Sequence, residues 1–238
     1  MKKLTKRQKT LKTLFDEAKA YSLKEAVAVL KKMPKLKFDE MIEVAVKLDI
    51  DPKDSLGASF RGTVSLPHGT GKVVRVVVFC KGEEEKKARD AGADFIGAEE
   101  LMAKIQGGWA DFDVAIATPE MMKDIAKLGK ILGPRGLMPN PKSGTVTMDT
   151  AKTIKEVRAG KIEFKMDKQA GIHAPLGKIS FTEEAIYKNA LALIDAIMGC
   201  GTQGGAKGQH VKSLYISTTM GPGLRLDLAQ VQKELKSQ

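Results

Sequence analysis

Apolar and polar residues alternate along two stretches near the ends of the chain. Between Met41 and Ile50, every second residue is apolar and most of the residues between them are charged. The apolar members are Ile42, Val44, Val46 and Leu48, and the charged members are Glu43, Lys47 and Asp49. The same alternation runs through Ile162, Phe164 and Met166. A period of two predicts a strand with one buried and one exposed face, as antiparallel sheets often have.

The middle of the chain has a different pattern. The stretch from Lys72 to Cys80 is apolar almost throughout, which predicts a strand buried on both faces of a parallel sheet. Further segments follow in turn: helices over 83–91, 98–105, 121–132 and 150–159, and strands over 94–96 and 113–117. Strands that alternate with helices predict a small α/β sheet with right-handed crossovers.

The ends of the chain supply further elements. The first 12 residues are basic, lack Gly and Pro and can continue as a helix through Leu14 and Phe15, and a free, solvated basic tail stays open as the alternative. Two more helices are predicted: one capped by Ser22 and ended by Pro34, and one capped by Thr182. Two more strands are predicted: one that ends at Ser180 and Phe181, and one from Lys212 to Met220.

Both ends therefore share one style of structure. We predict an α+β discontinuous domain, an antiparallel sheet with helices, built from residues 1–67 and 159–238. An α/β Rossmann-like domain is predicted to be inserted over residues 68–158. Two or three consecutive domains would give a similar pattern, so periodicity alone leaves them open.

The middle of the chain and its two ends also differ in net charge. The chain has 238 residues, a net charge of +11 and a pI of about 9.5. Residues 68–158 hold 15 Lys and Arg against 13 Asp and Glu, a net charge of +2, and the other residues hold 25 against 16, a net charge of +9. This balance points to a polyanion, with nucleic acid ahead of a membrane. Aromatic residues are only 5% of the chain, which favours contact with phosphates, RNA shape and 2′-hydroxyls over the stacking of successive bases.

Several classes of function are disfavoured by the sequence. Two distant cysteines suit a reducing cytosol, and three separated histidines predict no metal site. We find no signal peptide, no membrane span and no catalytic constellation, so a cytoplasmic, non-enzymatic protein without a cofactor is expected. The segment from Arg61 to Lys72 ends in Gly-Thr-Gly-Lys, lacks the full phosphate-loop pattern and is predicted to be a hinge. The glycine-rich segment from Gly199 to Gly208 follows a helix and is predicted to be a flexible connection.

The last predicted strand is the most informative segment. Ser213, Ser217 and Thr219 share one face, and Leu214 and Ile216 share the other. A row of small hydroxyls makes a flat polar surface that ribose and phosphate can approach. An ordinary exposed strand that ends in a turn fits the same pattern and stays open.

Other candidate contacts lie in loops. Gly221 is interpreted as a position where backbone meets RNA, and Lys37 and Phe38 as a cation and a stacking ring. Phe38 could equally join the core. The loop from Gly133 to Gly144 carries Arg135 and Lys142, which could meet a phosphate, although a purely structural loop is the commoner case.

Together these segments resemble the ribosomal protein L1 family, whose members form the mobile stalk of the large subunit beside the tRNA exit site. The motifs that carry the resemblance are Leu4 to Arg7, Lys37 to Glu40, Arg61 to Thr63, Leu66 to Lys72, Leu132 to Asn140, Ile172 to Lys178 and Thr218 to Pro222. The segment from Gly199 to Gly208 departs from the family pattern because it contains more glycine.

The resemblance implies the discontinuous architecture and a set of RNA contacts. The implied contacts are Phe38, Ser213, Thr219, Met220 and Gly221, with Lys37, Lys165, His173 and Thr218 as neighbours. It also implies binding to large-subunit ribosomal RNA, to exit-site tRNA and to the protein's own operon mRNA, whose translation it would repress. We expect a protein of the cytoplasmic ribosome that is monomeric when free. A nucleotide-using enzyme and a general nucleic-acid chaperone are the alternatives.

Overall fold

The structure is a computed structural model that describes residues 5–16, 18–51, 60–200 and 210–236. It divides into two compact units. The terminal unit comprises Met1–Gly71 and Ile162–Gln238, and the inserted unit comprises Lys72–Lys161.

The helices and strands are as follows. The helices are α1 (Lys6–Leu14), α2 (Leu23–Lys32), α3 (Glu83–Asp90), α4 (Glu99–Gln106), α5 (Thr150–Ala159), α6 (Glu183–Gly199) and α7 (Leu228–Lys236). The strands are β1 (Met41–Leu48), β2 (Arg61–Ser65), β3 (Val76–Phe79), β4 (Phe95–Gly97), β5 (Val114–Ala117), β6 (Lys161–Lys165), β7 (Gly171–Lys178), β8 (Val211–Thr218) and β9 (Leu224–Arg225). Short helical turns lie at Pro119–Met121, Met122–Ile125, Ala126–Leu128, Gly129–Leu132 and Pro141–Ser143.

The terminal unit is built on a four-stranded antiparallel sheet. Its strand order is β7-β1-β8-β9, so the strand from the N-terminal part of the chain lies between two from the C-terminal part. The predicted alternation in β1 is confirmed, because Ile42, Val44 and Val46 are buried while Glu43 and Lys47 are exposed. Helices α2 and α6 pack against the buried face and complete a single apolar core. Among the described residues, helices therefore cover one face of this sheet and leave the other open.

A second, two-stranded sheet in the terminal unit joins β2 to β6. The sequence predicted that Arg61 to Lys72 is a hinge, but its first five residues form β2, so that part of the prediction is wrong. The residues after β2 are held by the buried Asn189. Its side chain accepts a hydrogen bond from the His68 N–H at 3.0 Å and donates to the Gly69 carbonyl at 2.8 Å. Residues 68–71 consequently fold as part of the terminal unit.

The inserted unit has a three-stranded parallel sheet in the order β4-β3-β5. Val77 and Phe79 of β3 enter one apolar cluster with α4, while Val76 and Val78 enter another with α3 and α5. Every residue of β3 is buried, which confirms the predicted strand with two covered faces. The finer assignment of this unit as Rossmann-like stays a prediction.

Several predicted elements differ from the structure at their ends. The helix predicted over 121–132 is broken into short α and 3₁₀ turns, and the strand predicted to end at Phe181 ends at Lys178. The sequence pattern missed β9 and α7. Helix α5 occupies the predicted span, because the side chain of Asp149 caps its start and Gly160 ends it in a left-handed conformation. The connection predicted from Gly199 to Gly208 lies mostly outside the described residues.

Candidate nucleic-acid interface

The uncovered side of the four-stranded sheet, termed the open face, presents mainly small and polar side chains. Strand pairing places Ala45 of β1 between His173 of β7 and Tyr215 of β8, which in turn pairs with Arg225 of β9. One of these four residues is small, and the other three carry polar or cationic groups at partly or fully exposed positions. The row therefore offers hydrogen-bond donors at three of its four positions and a positive charge at the β9 edge of the sheet.

In the neighbouring rows of the open face, small residues flank a charged residue of β1. Glu43 pairs with Pro175 and Ser217, and Lys47 pairs with Gly171 and Ser213. From Ser213 to Thr219 the face extends for roughly 20 Å at about 3.4 Å per residue. The small side chains along it allow a rigid partner to approach the backbone closely, as a folded RNA would require.

One end of the open face is organised by a buried carboxylate. Glu40 is only 2% exposed, and its Oε1 accepts hydrogen bonds from the Thr218 hydroxyl at 3.2 Å and from the Met220 N–H at 3.1 Å. The Arg7 guanidinium of α1 lies 3.7 Å from the same oxygen. Helix α1, the loop before β1 and the chain after β8 therefore meet at one carboxylate.

Thr219 extends the sheet beyond the end of β8. Its N–H donates to the Met41 carbonyl at 2.9 Å, and its hydroxyl accepts from the Met41 N–H at 2.9 Å. These bonds hold the backbone before Met220, and the Gly221 N–H, which donates to the Thr218 carbonyl at 3.0 Å, holds the backbone after it. Met220 itself is 59% exposed. An apolar residue whose backbone is held in this way loses less backbone entropy when it contacts a partner.

Phe38 lies two residues before Glu40 and is 52% exposed. It does not join the core, which was the alternative left open by the sequence. Asp39 anchors the loop, because it accepts hydrogen bonds from the Ser180 hydroxyl at 2.7 Å and from the Ser180 N–H at 3.2 Å. Phe38 and Met220 are thus exposed on two segments that Glu40 ties together. We term these segments, 37–41 and 218–221, the corner.

Gly221 is required by the turn after β8, and its predicted contact with RNA stays a prediction. A Cβ atom at this position would lie 2.3 Å from the Thr218 hydroxyl oxygen, far inside van der Waals contact. The Gly221 N–H also donates to the Thr218 carbonyl at 3.0 Å. The absence of a side chain is therefore explained by the tight turn itself, and close approach of RNA is not needed to account for it.

The structure places the predicted contact residues in three groups. Lys37, Phe38, Thr218, Thr219, Met220 and Gly221 belong to the corner, His173 and Ser213 lie on the open face, and Lys165 lies apart from both. Thr218 is 3% exposed and faces the core, so any role in binding is indirect, through Glu40. Lys165 is exposed but lies on β6, in the two-stranded sheet.

Sequence reasoning missed several residues of this surface. Tyr215 and Arg225 stand in the row with His173, and Glu43 and Lys47 lie on β1. Alternation along β8 could have identified Tyr215, which has the same parity as Ser213. The pairing of Arg7 with Glu40 left no local signal, because the two residues come from distant segments.

The charge of the open face is mixed. The side chain of Asp167, in the turn before β7, accepts hydrogen bonds from the backbone N–H groups of Gly171 and Gln169. The Gly171 N–H first, then the Gln169 N–H and the nearby charges of His173 and Lys47, hold the pKa of Asp167 below its ordinary value. Asp167 is therefore ionised at neutral pH. The Lys47 ammonium donates to the Gln169 carbonyl, which fixes this cation beside the turn.

Other kinds of site find no support in the described part of the chain. Within those residues no group of three His, Cys, Asp or Glu side chains could hold a metal ion. No helix among them is both long and apolar enough to cross a membrane. Cys80 and Cys200 are free thiols, and burial, with the nearby Glu85 and Glu84, raises the pKa of Cys80 to about 11. A thiol with such a pKa is a poor nucleophile at neutral pH.

Comparison with known proteins identifies the family of the chain. Residues 30–222 match the family described as "Ribosomal protein L1p/L10e family". The chain is also 51% identical over 226 residues to the large ribosomal subunit protein uL1 of Protochlamydia amoebophila (strain UWE25), and the match covers 95% of each chain. The resemblance identified from separate sequence motifs is therefore confirmed. The chain belongs to the ribosomal protein L1p/L10e family.

Proposed function

We propose that this protein is a structural constituent of the large ribosomal subunit and that its corner and open face bind folded ribosomal RNA. The observation that carries the proposal is the pair of exposed apolar side chains, Phe38 and Met220, held on an anchored corner beside a flat polar sheet. Large exposed apolar groups on a rigid backbone are features of interaction sites.

Each part of the surface has a distinct task in the proposed complex. Phe38 stacks on a base or ribose, and Met220 packs against the RNA surface beside it. Ser213 and Ser217 supply hydroxyls that can reach 2′-hydroxyl and phosphate oxygens. Lys37 and Arg225 supply positive charge at the edges of the surface, and His173 supplies a ring N–H group.

Family membership confirms that the protein is not an enzyme, because this family consists of structural ribosomal proteins. The rival interpretation, a nucleotide-using enzyme centred on the inserted unit, is thereby removed.

The finer parts of the function rest on the family resemblance. We propose that the protein forms the mobile stalk and aids release of deacylated tRNA, and that it represses translation of its own operon mRNA by binding a similar RNA structure. The proposal includes a Rossmann-like inserted domain, an RNA-binding domain built from both chain ends, and a monomer in the absence of RNA.

Binding to an isolated ribosomal RNA element tests the surface. In a filter-binding titration Met220→Ala should weaken binding by roughly 1–3 kcal/mol, the scale of removing a buried side chain from an interface. Met148→Ala is the matched control, because Met148 is 68% exposed on the inserted unit. Equal affinities of the two variants would contradict the assignment of the corner.

Salt dependence and competition test the chemistry of binding. The logarithm of the binding constant should fall with the logarithm of salt concentration at a slope of about −0.7 per phosphate contacted, using the single-strand value. An excess of arbitrary RNA should compete poorly at physiological salt. Equal competition by arbitrary RNA would instead indicate a general nucleic-acid chaperone.

A further inference from the structure

The inserted unit concentrates its positive charge in one stretch of sequence. Residues 72–161 contain 16 Lys and Arg against 13 Asp and Glu, a net charge of +3. Residues 127–144 contain four of these cations and no acid, a net charge of +4. The rest of the unit, with 12 cations against 13 acids, has a net charge of −1. We term residues 127–144 the basic segment.

The cations of the basic segment are Lys127, Lys130, Arg135 and Lys142, and all four are exposed. Lys127 forms an ion pair with Asp124 at 3.1 Å, so part of its charge is already balanced. The other three stand beside no acid within the segment itself. Lys130, Arg135 and Lys142 can therefore bind an anion from outside the protein through their positive charge.

The part of the segment that carries Lys142 is held rigidly. The Asn140 side chain accepts from the Lys142 N–H at 2.9 Å, and the Asn140 carbonyl accepts from the Ser143 hydroxyl at 3.0 Å. Thr145 then joins the end of β5, because its carbonyl accepts from the Ala117 N–H at 2.9 Å. The Lys142 backbone is consequently fixed before any partner arrives, which lowers the entropy cost of binding.

The part that carries Arg135 leaves its backbone open. Gly133, Pro134 and Gly136 are exposed, and Gly136 has a φ of +70°, which favours glycine. A Cβ atom at Gly136 would meet nothing within 4 Å. A bulky partner can therefore reach the backbone beside Arg135 without displacing protein atoms.

The side chains of the segment favour a phosphate backbone over other anionic partners. It contains no aromatic residue for base stacking. Its apolar residues Leu137 and Met138 pack against the core of the inserted unit, so they do not form the apolar centre that a protein interface usually has. Exposed cations without an apolar centre suit the negative charge of a phosphate backbone.

We infer that the basic segment is a second RNA-contacting surface, which binds the sugar–phosphate backbone of a folded RNA through Lys130, Arg135 and Lys142. This goes beyond the proposed contact of the corner with ribosomal RNA and does not rest on it. Because only phosphates are contacted, binding at this surface depends on RNA shape and salt and depends little on sequence.

The test uses the full-length protein saturated with the ribosomal RNA element described above. Fluorescently labelled deacylated tRNA is then titrated as a folded-RNA probe. The variant K130A/R135A/K142A is compared with K86A/R89A/K155A, which removes the same residue types and the same charge from exposed positions elsewhere on the inserted unit. Circular dichroism checks that both variants are folded.

The first variant should bind the probe roughly tenfold or more weakly, and its log–log salt slope should be shallower by about 0.7–0.9 for each phosphate that the variant no longer binds. The control variant should retain both values. Equal weakening in the two variants, or no binding of the probe by the saturated wild-type protein, would overturn the inference. Binding of the ribosomal RNA element is measured separately in the first step, so failure there counts against the corner alone.

Discussion

In β1 of the terminal unit buried and exposed residues alternate, whereas every residue of β3 in the inserted unit is buried. The antiparallel sheet is covered by helices on one face, and the parallel sheet is covered on both. The first arrangement leaves a whole sheet face for a partner. The second leaves only loops and helix surfaces, so any contact made by the inserted unit must come from segments such as residues 127–144.

The largest expected effect is the difference in the stability lost when a residue of each sheet is replaced by alanine. Phe79→Ala should lower the free energy of unfolding of the inserted unit by about 3–5 kcal/mol, because Phe79 is fully buried. Glu43→Ala on the open face should change stability by less than about 0.5 kcal/mol. Denaturant titrations measure both, with the fluorescence of Trp109 reporting the inserted unit, since Trp109 is the chain's single Trp and packs against the Phe79 cluster. A similar cost at both positions would break the comparison.

The corner should be the exception to the tolerance of the open face. Glu40→Ala removes the partner of the Arg7 guanidinium and of the Thr218 hydroxyl. We expect stability to fall by about 2–3 kcal/mol, below the cost for a fully buried ion pair because the Arg7 side chain is still 27% exposed. RNA affinity should fall as well, since the Met220 N–H loses its acceptor. Chemical denaturation and filter binding measure these effects, and a stability change within about 0.5 kcal/mol of that of Glu43→Ala would contradict them.

A double-mutant cycle tests whether the turn after β8 requires Gly221 because of a clash with Thr218. Gly221→Ala should cost about 1–3 kcal/mol of stability through the clash with the Thr218 hydroxyl. In a Thr218→Ala background the same change should cost less, because the clashing oxygen is gone. Gly129→Ala is a control, since a Cβ atom there meets nothing within 4 Å. Equal costs in both backgrounds, measured by thermal unfolding, would rule out the steric explanation.

The smallest expected effect concerns the acid stability of the inserted unit. Hydrogen bonds from the Lys72 ammonium at 2.7 Å and from the Arg75 N–H at 3.1 Å lower the pKa of Asp113 from 3.8 to about 2. The folded pKa lies below the ordinary value, so this carboxylate stabilises the fold above about pH 4 and loses that contribution as the pH falls from about 4 to about 2.

Asp113→Asn should therefore lower stability at pH 7 by about 1 kcal/mol, the scale of a partly exposed charged hydrogen bond. The difference from wild type should shrink as the pH falls towards 2. Trp109 fluorescence during denaturation at several pH values measures it. If the stability difference between the variant and the wild type stays constant from pH 7 to pH 2, the ionised Asp113 carboxylate is not stabilised by Lys72 and Arg75.

Some residues of the interface could be predicted from local pattern and some could not. Ser213 and Thr219 follow from alternation along one strand, and the same rule puts Thr218 on the buried face, where the structure has it. Phe38 could not be assigned, because its sequence neighbours do not show whether a core lies within reach. The roles of Arg7 and Glu40 depend on a contact between segments 33 residues apart, which no local rule describes.

The sequence by itself determined the two styles of strand, the helix caps at Ser22 and Thr182 and the uneven charge, because side-chain period, capping and charge are local properties of the chain. Tertiary structure alone decided that β1 lies between β7 and β8, that Glu40 ties three segments together, and that the turn at Thr218 requires Gly221. These features arise from packing between distant segments. Such packing depends on which surfaces fit together in the folded state, and a pattern of neighbouring residues does not contain that information.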